Sequence, residues 1–378
     1  MANLSPIPKF QFFGTDGKFL VGGKLYSYQA GTTTPLPTYT SSAGNIQNTN
    51  PIILGTQGEA EVWLGQGVYK LKLTDANDVE LWTVDNVNGN SALSGPNGSN
   101  LIGFIAAGAN AVARTVQSKL RDTVSVTDFG ADPTGTNDST DAFNNALNAA
   151  KSVYIPQGTY LISGPINIGT GGTLGNKRLY GDGFRTTVIK ATSATATIQN
   201  KSGHYWIEMR DFMFDGNNIA SVGIALGNPA GTTGSAAYDY LNNVYVTNCV
   251  DAAIELNWLQ YTQIEQCFFG GTSQGYGMLA NRLLTSVVTN TTMIDNKYGF
   301  KVDHCSDVNF NYVNLYGPYG AIVPAWYLVI VDSYNVFLNH VTFENEQTFV
   351  NPLVIVNSSD VTTVTGNIWF NQCLWVGL

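Results

Sequence analysis

The sequence predicts an all-β protein whose larger part is a coil of short strands stacked on itself. Seven stretches repeat, with key positions separated by 32, 23, 24, 22, 28 and 32 residues: Phe212, Val244, Cys267, Thr291, Val313, Val341 and Cys373. The position two residues later is apolar in every copy, and the residue before the key position is polar or aromatic. Apolar residues two apart beside a polar one indicate a strand with one buried face. Their recurrence without a helical pattern between copies indicates stacked strands.

A second series of apolar segments falls once per repeat and supports the same period. A line of small or polar residues follows these segments: Gly227, Asn257, Asn281, Asp303, Asp332 and Asn357. Asx residues tolerate left-handed backbone and form ladders when they stack about 4.8 Å apart, so we expect this line to form turns. Another Asn line contains Asn242, Asn311, Asn339 and Asn371. Glu265 replaces Asn in that line, either as a satisfied buried carboxyl or as a perturbed acid.

The bulk properties exclude several classes of protein. The net charge of -9 argues against nucleic acid as the main partner and would slow the approach of strongly anionic glycans, unless local basic patches override it. No stretch reaches the roughly 18 apolar residues of a membrane span, and the N-terminus lacks a signal-peptide pattern, which predicts synthesis in a cytosol. The four cysteines are therefore expected to be thiols. No cofactor or metal site is expected, since no CxxC or Cys/His metal spacing is present.

The chain is predicted to have three parts. Residues 1–90 alternate short strands (10–13, 24–28, 60–64, 67–74 and 79–84) with turn-rich loops and do not share the later repeat. Residues 91–125 form a linker and neck, in which 101–122 fit either a short helix or an extended segment. Residues 126–378 form the coil of strands. A helix near 139–150 would cover its open first rung with one apolar face, made of Ala142, Phe143, Ala146 and Leu147.

Two segments resemble known families. TDFGADPTGTNDSTDAFNNAL followed by VYIPQGTYLI resembles the opening motif of the pectate-lyase-like β-helix superfamily. This resemblance implies a right-handed parallel β-helix, but no single activity, because the superfamily holds lyases, hydrolases and binding modules. The first 90 residues, with PKFQFF, GGKLYSYQAGT and GEAEVWL, resemble the particle-binding domain of podovirus tailspikes and tail fibres. That resemblance implies a trimeric, β-sandwich-like anchor domain.

Together the resemblances imply a homotrimeric tailspike or tail fibre, made in the host cytoplasm and located in the virion. Residues 1–90 would bind phage tail or portal-proximal proteins, and the β-helix would contact bacterial surface polysaccharide, with cleavage of that glycan left open. One alternative is a non-enzymatic adaptor that braces or carries another spike. This alternative is favoured by the end of the sequence just after Trp375, where we expect a shortened spike, a fragment or cover by another chain. The other alternative is a secreted monomeric enzyme, which the missing signal peptide disfavours.

Candidate site residues were sought among acids and aromatics at outward positions. Glycosidases use a pair of carboxylates, whereas lyases use a base and a charge-neutralising group. The catalytic candidates are Glu255, placed mid-strand, and Asp295 and Glu344, which each follow an inward strand residue. The substrate-binding candidates are Trp258, Tyr261, Lys301 and Trp326. Lys301 is expected in the column of Glu255, two rungs or roughly 10 Å away. The same features also fit a solvated surface pair and, for Trp258, Trp326 and Tyr327, packing between protomers.

Overall fold

The structure, a computed structural model, describes residues 3–65, 67–88, 95–169, 176–200, 206–228, 236–272, 274–317, 326–345, 353–356 and 366–377. Two compact units make up the chain, Met1–Asp122 and Thr123–Leu378. Within the described ranges, no helix is both long and apolar enough to cross a membrane.

The first unit contains two antiparallel sheets in a sandwich-like arrangement. One sheet has the order β1-β5-β3 and the other β4-β2-β6-β7. The strands are β1 (Asn3–Gln11), β2 (Lys24–Gln29), β3 (Thr38–Tyr39), β4 (Ile52–Ile53), β5 (Glu59–Leu64), β6 (Val68–Thr74) and β7 (Glu80–Asn88). Alternating residues of β2, β5 and β6 fill its core, among them Leu25, Val62 and Tyr69. The first predicted strand, 10–13, is misplaced, because β1 begins at Asn3 and ends at Gln11.

The segment expected to be a neck holds several short elements rather than one helix. A 3-10 turn at Gly98–Leu101 precedes a small antiparallel pair, β8 (Gly103–Phe104) and β9 (Arg114–Thr115). The helix α1 (Val116–Leu120) follows, and the side chain of Thr115 caps its first turn by accepting from the Ser118 amide.

The second unit begins with the helical cap that the sequence predicts. A 3-10 turn at Val126–Phe129 is followed by α2 (Thr140–Ala149). Its four buried residues are those of the predicted apolar face: Ala142, Phe143, Ala146 and Leu147. They join the long core of the β-helix, so α2 covers the apolar interior at its first rungs.

The rest of the second unit is a parallel β-helix with three faces. Face 1 contains β10 (Val124–Ser125), β12 (Ser152–Ile155), β15 (Lys177–Gly181), β24 (Gln263–Glu265), β27 (Leu284–Thr289), β30 (Ser306–Asn311), β33 (Tyr334–Asn339) and β36 (Gly366–Asn371). Face 2 contains β11 (Thr134–Asp138), β13 (Gly158–Ile162), β16 (Thr187–Ala191), β25 (Phe268–Gly270), β28 (Thr292–Ile294), β31 (Asn314–Tyr316), β34 (Thr342–Asn345) and β37 (Leu374–Gly377). Two long strands, β18 (Ile207–Asp215) and β21 (Tyr240–Thr247), bend around the corner and supply both faces.

Face 3 is a separate sheet that closes the triangle. Its strands are β14 (Pro165–Asn167), β17 (Thr197–Asn200), β19 (Val222–Gly227), β22 (Ala252–Asn257), β26 (Tyr276–Asn281), β29 (Tyr298–Asp303), β32 (Trp326–Val331) and β35 (Leu353–Val356). Two short strands, β20 (Ala236–Ala237) and β23 (Leu259–Gln260), lie at the corner that leads from face 3 into face 1.

The register confirms the first predicted ladder rung by rung. Parallel pairing joins its apolar column in the predicted order: Phe214, Val246, Phe269, Met293, Leu315, Phe343 and Trp375. Three rings of this column, those of Phe214, Phe269 and Phe343, are fully buried. Burial of each such side chain contributes about 1.5–3 kcal/mol, so this column is a main source of stability for the coil.

The Asn line on face 1 is also confirmed. Asn311, Asn339 and Asn371 pair in succession, and the Asn339 amide donates to Asn311 Oδ1 at 2.9 Å. Glu265 pairs with Asn242 in that column, as expected.

The prediction that the other line forms the turns is confirmed at Gly227 and Asp332, with φ of 84° and 42°, but is wrong by one position at the three residues between them. Asn257, Asn281 and Asp303 do pair along face 3, but the left-handed residues are the ones that follow them: Trp258, Arg282 and His304. Asp303 pairs with Val331, so Asp332 lies one position beyond the predicted line. Asn357 lies outside the described residues. The corner fixes the backbone angle, and the side chain there adapts to it.

Candidate functional site

A column of left-handed residues stands at the start of face 1 and defines the candidate site. Its first three members are Trp206, Tyr238 and Tyr261, with φ angles of 64°, 66° and 54°. They occupy successive rungs, since the Trp206 amide donates to Ala237 and the Tyr238 amide donates to Gln260. Left-handed backbone is rare for bulky residues and is tolerated best by Asn and Asp.

Later rungs of the same column have the residues expected there. Thr285, Asp307, Asn335 and Asn367 continue it, all with positive φ. Asn335 Nδ2 donates to Asp307 Oδ1 at 2.8 Å, and Asn367 Nδ2 donates to Asn335 Oδ1 at 3.2 Å. The column is thus a polar ladder over its last rungs and an aromatic stack over its first three.

The three aromatic rings contact one another but remain open to solvent. The ring centroids of Trp206 and Tyr238 are 5.6 Å apart, and those of Tyr238 and Tyr261 are 5.0 Å apart. Their exposures are 56%, 46% and 43%. A large ring costs stability when its backbone is strained and little of its surface is buried. Residues that cost stability in this way concentrate at functional sites.

A groove of about 580 Å³ lies beside this stack. Its far side comes from the neighbouring residues of face 1, including Glu208, Tyr240 and Gln263, which share one column. Exposed Asn176 and Ser152 also line it. A concave surface with apolar rings and a few converging polar groups is the usual form of a ligand site.

Two of the three cations of the groove, Arg178 and Lys177, are held by other protein groups. Arg178 Nε lies 3.1 Å from Glu208 Oε1, and Arg210 Nε lies 3.5 Å from the same oxygen. The Arg178 guanidinium also packs 4.6 Å from the centre of the Tyr180 ring. Lys177 Nζ donates to the carbonyls of Leu147 and Ala150, at the C-terminal end of α2. Burial lowers the pKa of Lys177.

Two further acids lie along the groove and differ in their surroundings. Asp239 is buried and accepts a hydrogen bond from the Ile207 amide at 3.1 Å, which ties one rung to the next. Glu265 Oε2 accepts from the Tyr240 hydroxyl at 3.0 Å. Burial and this hydrogen bond raise the pKa of Tyr240, so the phenol keeps its proton and acts as a donor.

Glu255 and Lys301 share a column, as predicted, but their charged groups contact other residues. Glu255 aligns with Leu279 and then with Lys301, two rungs along face 3. Lys301 Nζ instead contacts Asp303 at 2.8 Å, while Glu255 Oε1 accepts from Asn257 Nδ2 at 2.9 Å. Each of the two therefore has a partner on its own strand.

The other predicted residues are spread over the β-helix. Asp295 follows Ile294, and the column of Ile294 leads through Tyr316 to Glu344. The backbones of these two acids are therefore two rungs, or roughly 10 Å, apart. Both lie at the ends of face 2 strands, whereas Glu255 is on face 3. The three carboxylates are not gathered at one point.

The aromatic candidates have different surroundings. Tyr261 lines the groove, as the third ring of the stack. The Arg282 guanidinium covers Trp258, at 4.2 Å from the ring centre. Trp326 begins β32, and its side chain, like that of Tyr327, lies outside those described.

Sequence reasoning missed Trp206, Tyr238, Glu208 and Tyr240. A signal for the stack was present, because each ring lies six positions before the key residue of its repeat: Trp206 before Phe212, Tyr238 before Val244 and Tyr261 before Cys267. The polar ladder keeps the same offset. Only the pairing of the rungs reveals which residues line the same groove.

No curated protein matches this sequence. Among solved structures, ORF18 of Geobacillus virus E2 is 14% identical, with 75% of this chain and 67% of that chain covered at a TM-score of 0.45. A tailspike protein double mutant of E. coli bacteriophage HK620 is 11% identical, with 75% and 72% covered and a TM-score of 0.47. Pantoea stewartii WceF, a glycan biofilm modifying enzyme with a tailspike-like parallel β-helix, is 14% identical, with 93% and 61% covered and a TM-score of 0.42.

A family model covers most of the second unit. The model of rhamnogalacturonase A/epimerase, pectate lyase-like, matches residues 123–377, which is more than half of the chain. The match begins where the second unit begins and ends in the last strand of face 2. This chain therefore belongs to the pectate lyase-like rhamnogalacturonase A/epimerase family.

Proposed function

We propose that this chain is a bacteriophage tailspike or tail fibre that holds host surface polysaccharide in the groove beside Trp206, Tyr238 and Tyr261. The exposed left-handed aromatic stack carries this proposal. A sugar ring has a face of C–H groups that packs on an aromatic ring, and its hydroxyls need hydrogen-bonding partners at the edge. Asn or Asp, which occupy later rungs of the same column, would fit this backbone at a lower cost.

The polar residues of the groove supply the second half of sugar recognition. Gln263 and Asn176 are exposed amides that both donate and accept, and Ser152 is an exposed hydroxyl. The Tyr240 hydroxyl and the Glu265 carboxylate line the same groove. Sugar hydroxyls also donate and accept, so the two sets of groups are complementary.

Attachment to the virion through residues 1–90 is proposed from the resemblance of PKFQFF, GGKLYSYQAGT and GEAEVWL to particle-binding domains. The surface of the first unit supports it. Phe13 and Phe19 are 54% and 48% exposed, with ring centroids 5.4 Å apart, and exposed apolar clusters mark sites of protein contact. A homotrimer is part of the same proposal. Light scattering should then give about three times the 40.7 kDa of one chain, and a mass near one chain would contradict the trimer.

Cleavage of a glycan is proposed separately from the groove, at the residues chosen from the sequence: Glu255 on face 3, and Asp295 and Glu344 on face 2, with Trp258, Lys301 and Trp326 as further contacts. A double variant, Glu255→Gln with Asp295→Asn, tests them by the release of reducing ends or unsaturated sugars. Unchanged release would exclude Glu255 and Asp295 as catalytic. Binding without release would leave a pure attachment protein, and absence of both would favour the adaptor that braces another spike.

Adsorption to cells tests polysaccharide binding directly. The full chain should bind bacteria that carry a surface polysaccharide and should not bind isogenic cells that lack it. Trp206→Ala should reduce this binding. Tyr334→Ala is the matched control, because this ring is 50% exposed on β33 and does not line the groove. Equal binding to both kinds of cell would contradict the proposed function.

A further inference from the structure

The charged residues of the groove bear on which polysaccharides it accepts, and the inference rests on the proposed function. Three cations and three acids line it: Lys151, Lys177, Arg178, Glu208, Asp239 and Glu265. If the cations were free, they would favour glycans with carboxylate, sulfate or phosphate groups. Their contacts decide whether they are free.

Two of the three cations are engaged within the protein. Arg178 lies between the Glu208 carboxylate at 3.1 Å and the face of Tyr180 at 4.6 Å. Lys177 donates to two carbonyls at the end of α2, one of them that of Ala150 at 2.9 Å. An anionic ligand would have to compete with these partners for the charge of either cation. Lys151 is exposed at the rim, where water screens its charge.

The acids favour a different kind of ligand. Asp239 is buried against the Ile207 amide. Glu265 lines the groove and accepts a hydrogen bond from Tyr240 at Oε2, which leaves Oε1 as the oxygen to accept from a sugar hydroxyl. A ligand carboxylate at the same place would have no donor to offer and would meet a like charge in a partly desolvated groove.

The charge of the whole second unit acts in the same direction. Residues 123–378 contain ten Lys and Arg against nineteen Asp and Glu, so the net charge of -9 belongs to this unit. Residues 1–122 contain eight of each sign and are neutral. A polyanion would be repelled during its approach to the β-helix.

We infer that the groove selects an uncharged polysaccharide, bound by ring stacking and by hydroxyls that donate to Glu265, and rejects polymers rich in uronate or sulfate. Binding by stacking and neutral hydrogen bonds depends little on ionic strength, since no ion pair is formed with the ligand. The contacts that engage Arg178 and Lys177 within the protein therefore determine which glycans the groove accepts.

A matched set of polymers tests this inference. The first group of probes is neutral bacterial surface polysaccharides. The second group contains uronate, and each of these polymers is measured twice: in its native form, and after chemical reduction of the uronate carboxyls has converted them to neutral sugars. Titration calorimetry with the full chain should detect binding among the neutral and reduced polymers only. The affinity should change less than about twofold between roughly 20 and 200 mM salt, where the Debye length falls several-fold. Tighter binding of a native acidic polymer than of its reduced form would overturn the inference.

Two variants separate this inference from the proposed function. Glu265→Gln replaces the carboxylate by an amide that can donate, so it should admit the native acidic polymers while binding of neutral ones falls less than about tenfold. Lys297→Gln removes a positive charge outside the groove and should leave both unchanged. Unaltered rejection of acidic polymers by Glu265→Gln would exclude Glu265 as the selecting group. If no polymer binds at all, the proposed function itself is wrong, and this inference is overturned with it.

Discussion

Replacing Tyr238 with Asn should separate binding from folding. Tyr238 is the middle ring of the stack and has a φ of 66°. Asn is among the residues that tolerate this backbone best, and it occupies the same column later in the coil, at Asn335 and Asn367. The substitution removes the proposed sugar contact and leaves a residue suited to the corner.

The expected changes in free energy follow from the contacts. The ring stands 5.6 and 5.0 Å from its two neighbours, and loss of each aromatic pair costs about 0.5–1.5 kcal/mol. Relief of left-handed strain returns about 1–2 kcal/mol, so the free energy of unfolding should change by less than about 2 kcal/mol. Binding should weaken about tenfold or more, which is about 1.4 kcal/mol, because central aromatic residues dominate such contacts.

Urea denaturation and titration calorimetry measure the two quantities on the same variant. Tyr312→Asn is the matched control, since Tyr312 also has a left-handed φ of 55°, is 55% exposed and stacks on His340 at 4.6 Å, but lies at the corner between faces 1 and 2. The control should bind as the unaltered chain does. Equal weakening by both variants would mean that binding follows stability, and the groove would not be the site.

Three other predictions test the fold and its electrostatics. Phe269→Ala removes a fully buried ring and should lower the free energy of unfolding by about 3–5 kcal/mol. Phe268→Ala, on the outward side of the same strand, should lower it by less than half as much. Equal losses of stability in urea denaturation would contradict the inward position of Phe269 in the apolar column. Burial raises the pKa of Cys305 to about 11, so a thiol reagent at pH 8 should modify it only after unfolding, and prompt labelling of the native chain would contradict its position. The hydrogen bond to Asp182 raises the pKa of Tyr154 to about 12 from 10.0. The stabilising effect of that bond should therefore be complete below pH 10 and lost as the pH rises towards 12. Asp182→Asn should lower this pKa, as followed by NMR of the labelled tyrosine; an unchanged titration would exclude the bond as its cause.

The sequence predicts the coil because its interior is simple. An inward position on a stacked strand must be apolar in every rung, so the column from Phe214 to Trp375 could be aligned without any structure. The capping helix could be predicted in the same way, since a helix with one apolar face must bury that face against the core. The family match confirms the expected kinship with pectate-lyase-like proteins.

The turns were harder to predict because several residue types fit one backbone angle. Asx residues were expected at the corner after face 3, and Asp332 is one, yet three other left-handed positions there belong to Trp258, Arg282 and His304. A residue that is itself unfavourable can occupy a corner when the strands on both sides fix it. Residue type alone therefore misplaced the turn by one position.

The groove could not be assembled from the sequence for a related reason. Trp206 and Tyr261 are 55 positions apart in the chain and two rungs apart in space, and Glu208 meets Tyr240 only through the register of β18 and β21. Outward positions have no compositional rule to reveal them, because water accepts almost any side chain. Repeats of unequal length further hide which outward residues share a column.

A crystal structure of the full chain with an oligosaccharide from a polysaccharide that it binds would test the central claim most directly. The account predicts sugar rings beside Trp206, Tyr238 and Tyr261, with a hydroxyl donating to Glu265. Sugar bound along face 3 near Glu255, or in the hollow at Tyr312 and His340, with the groove empty, would contradict it.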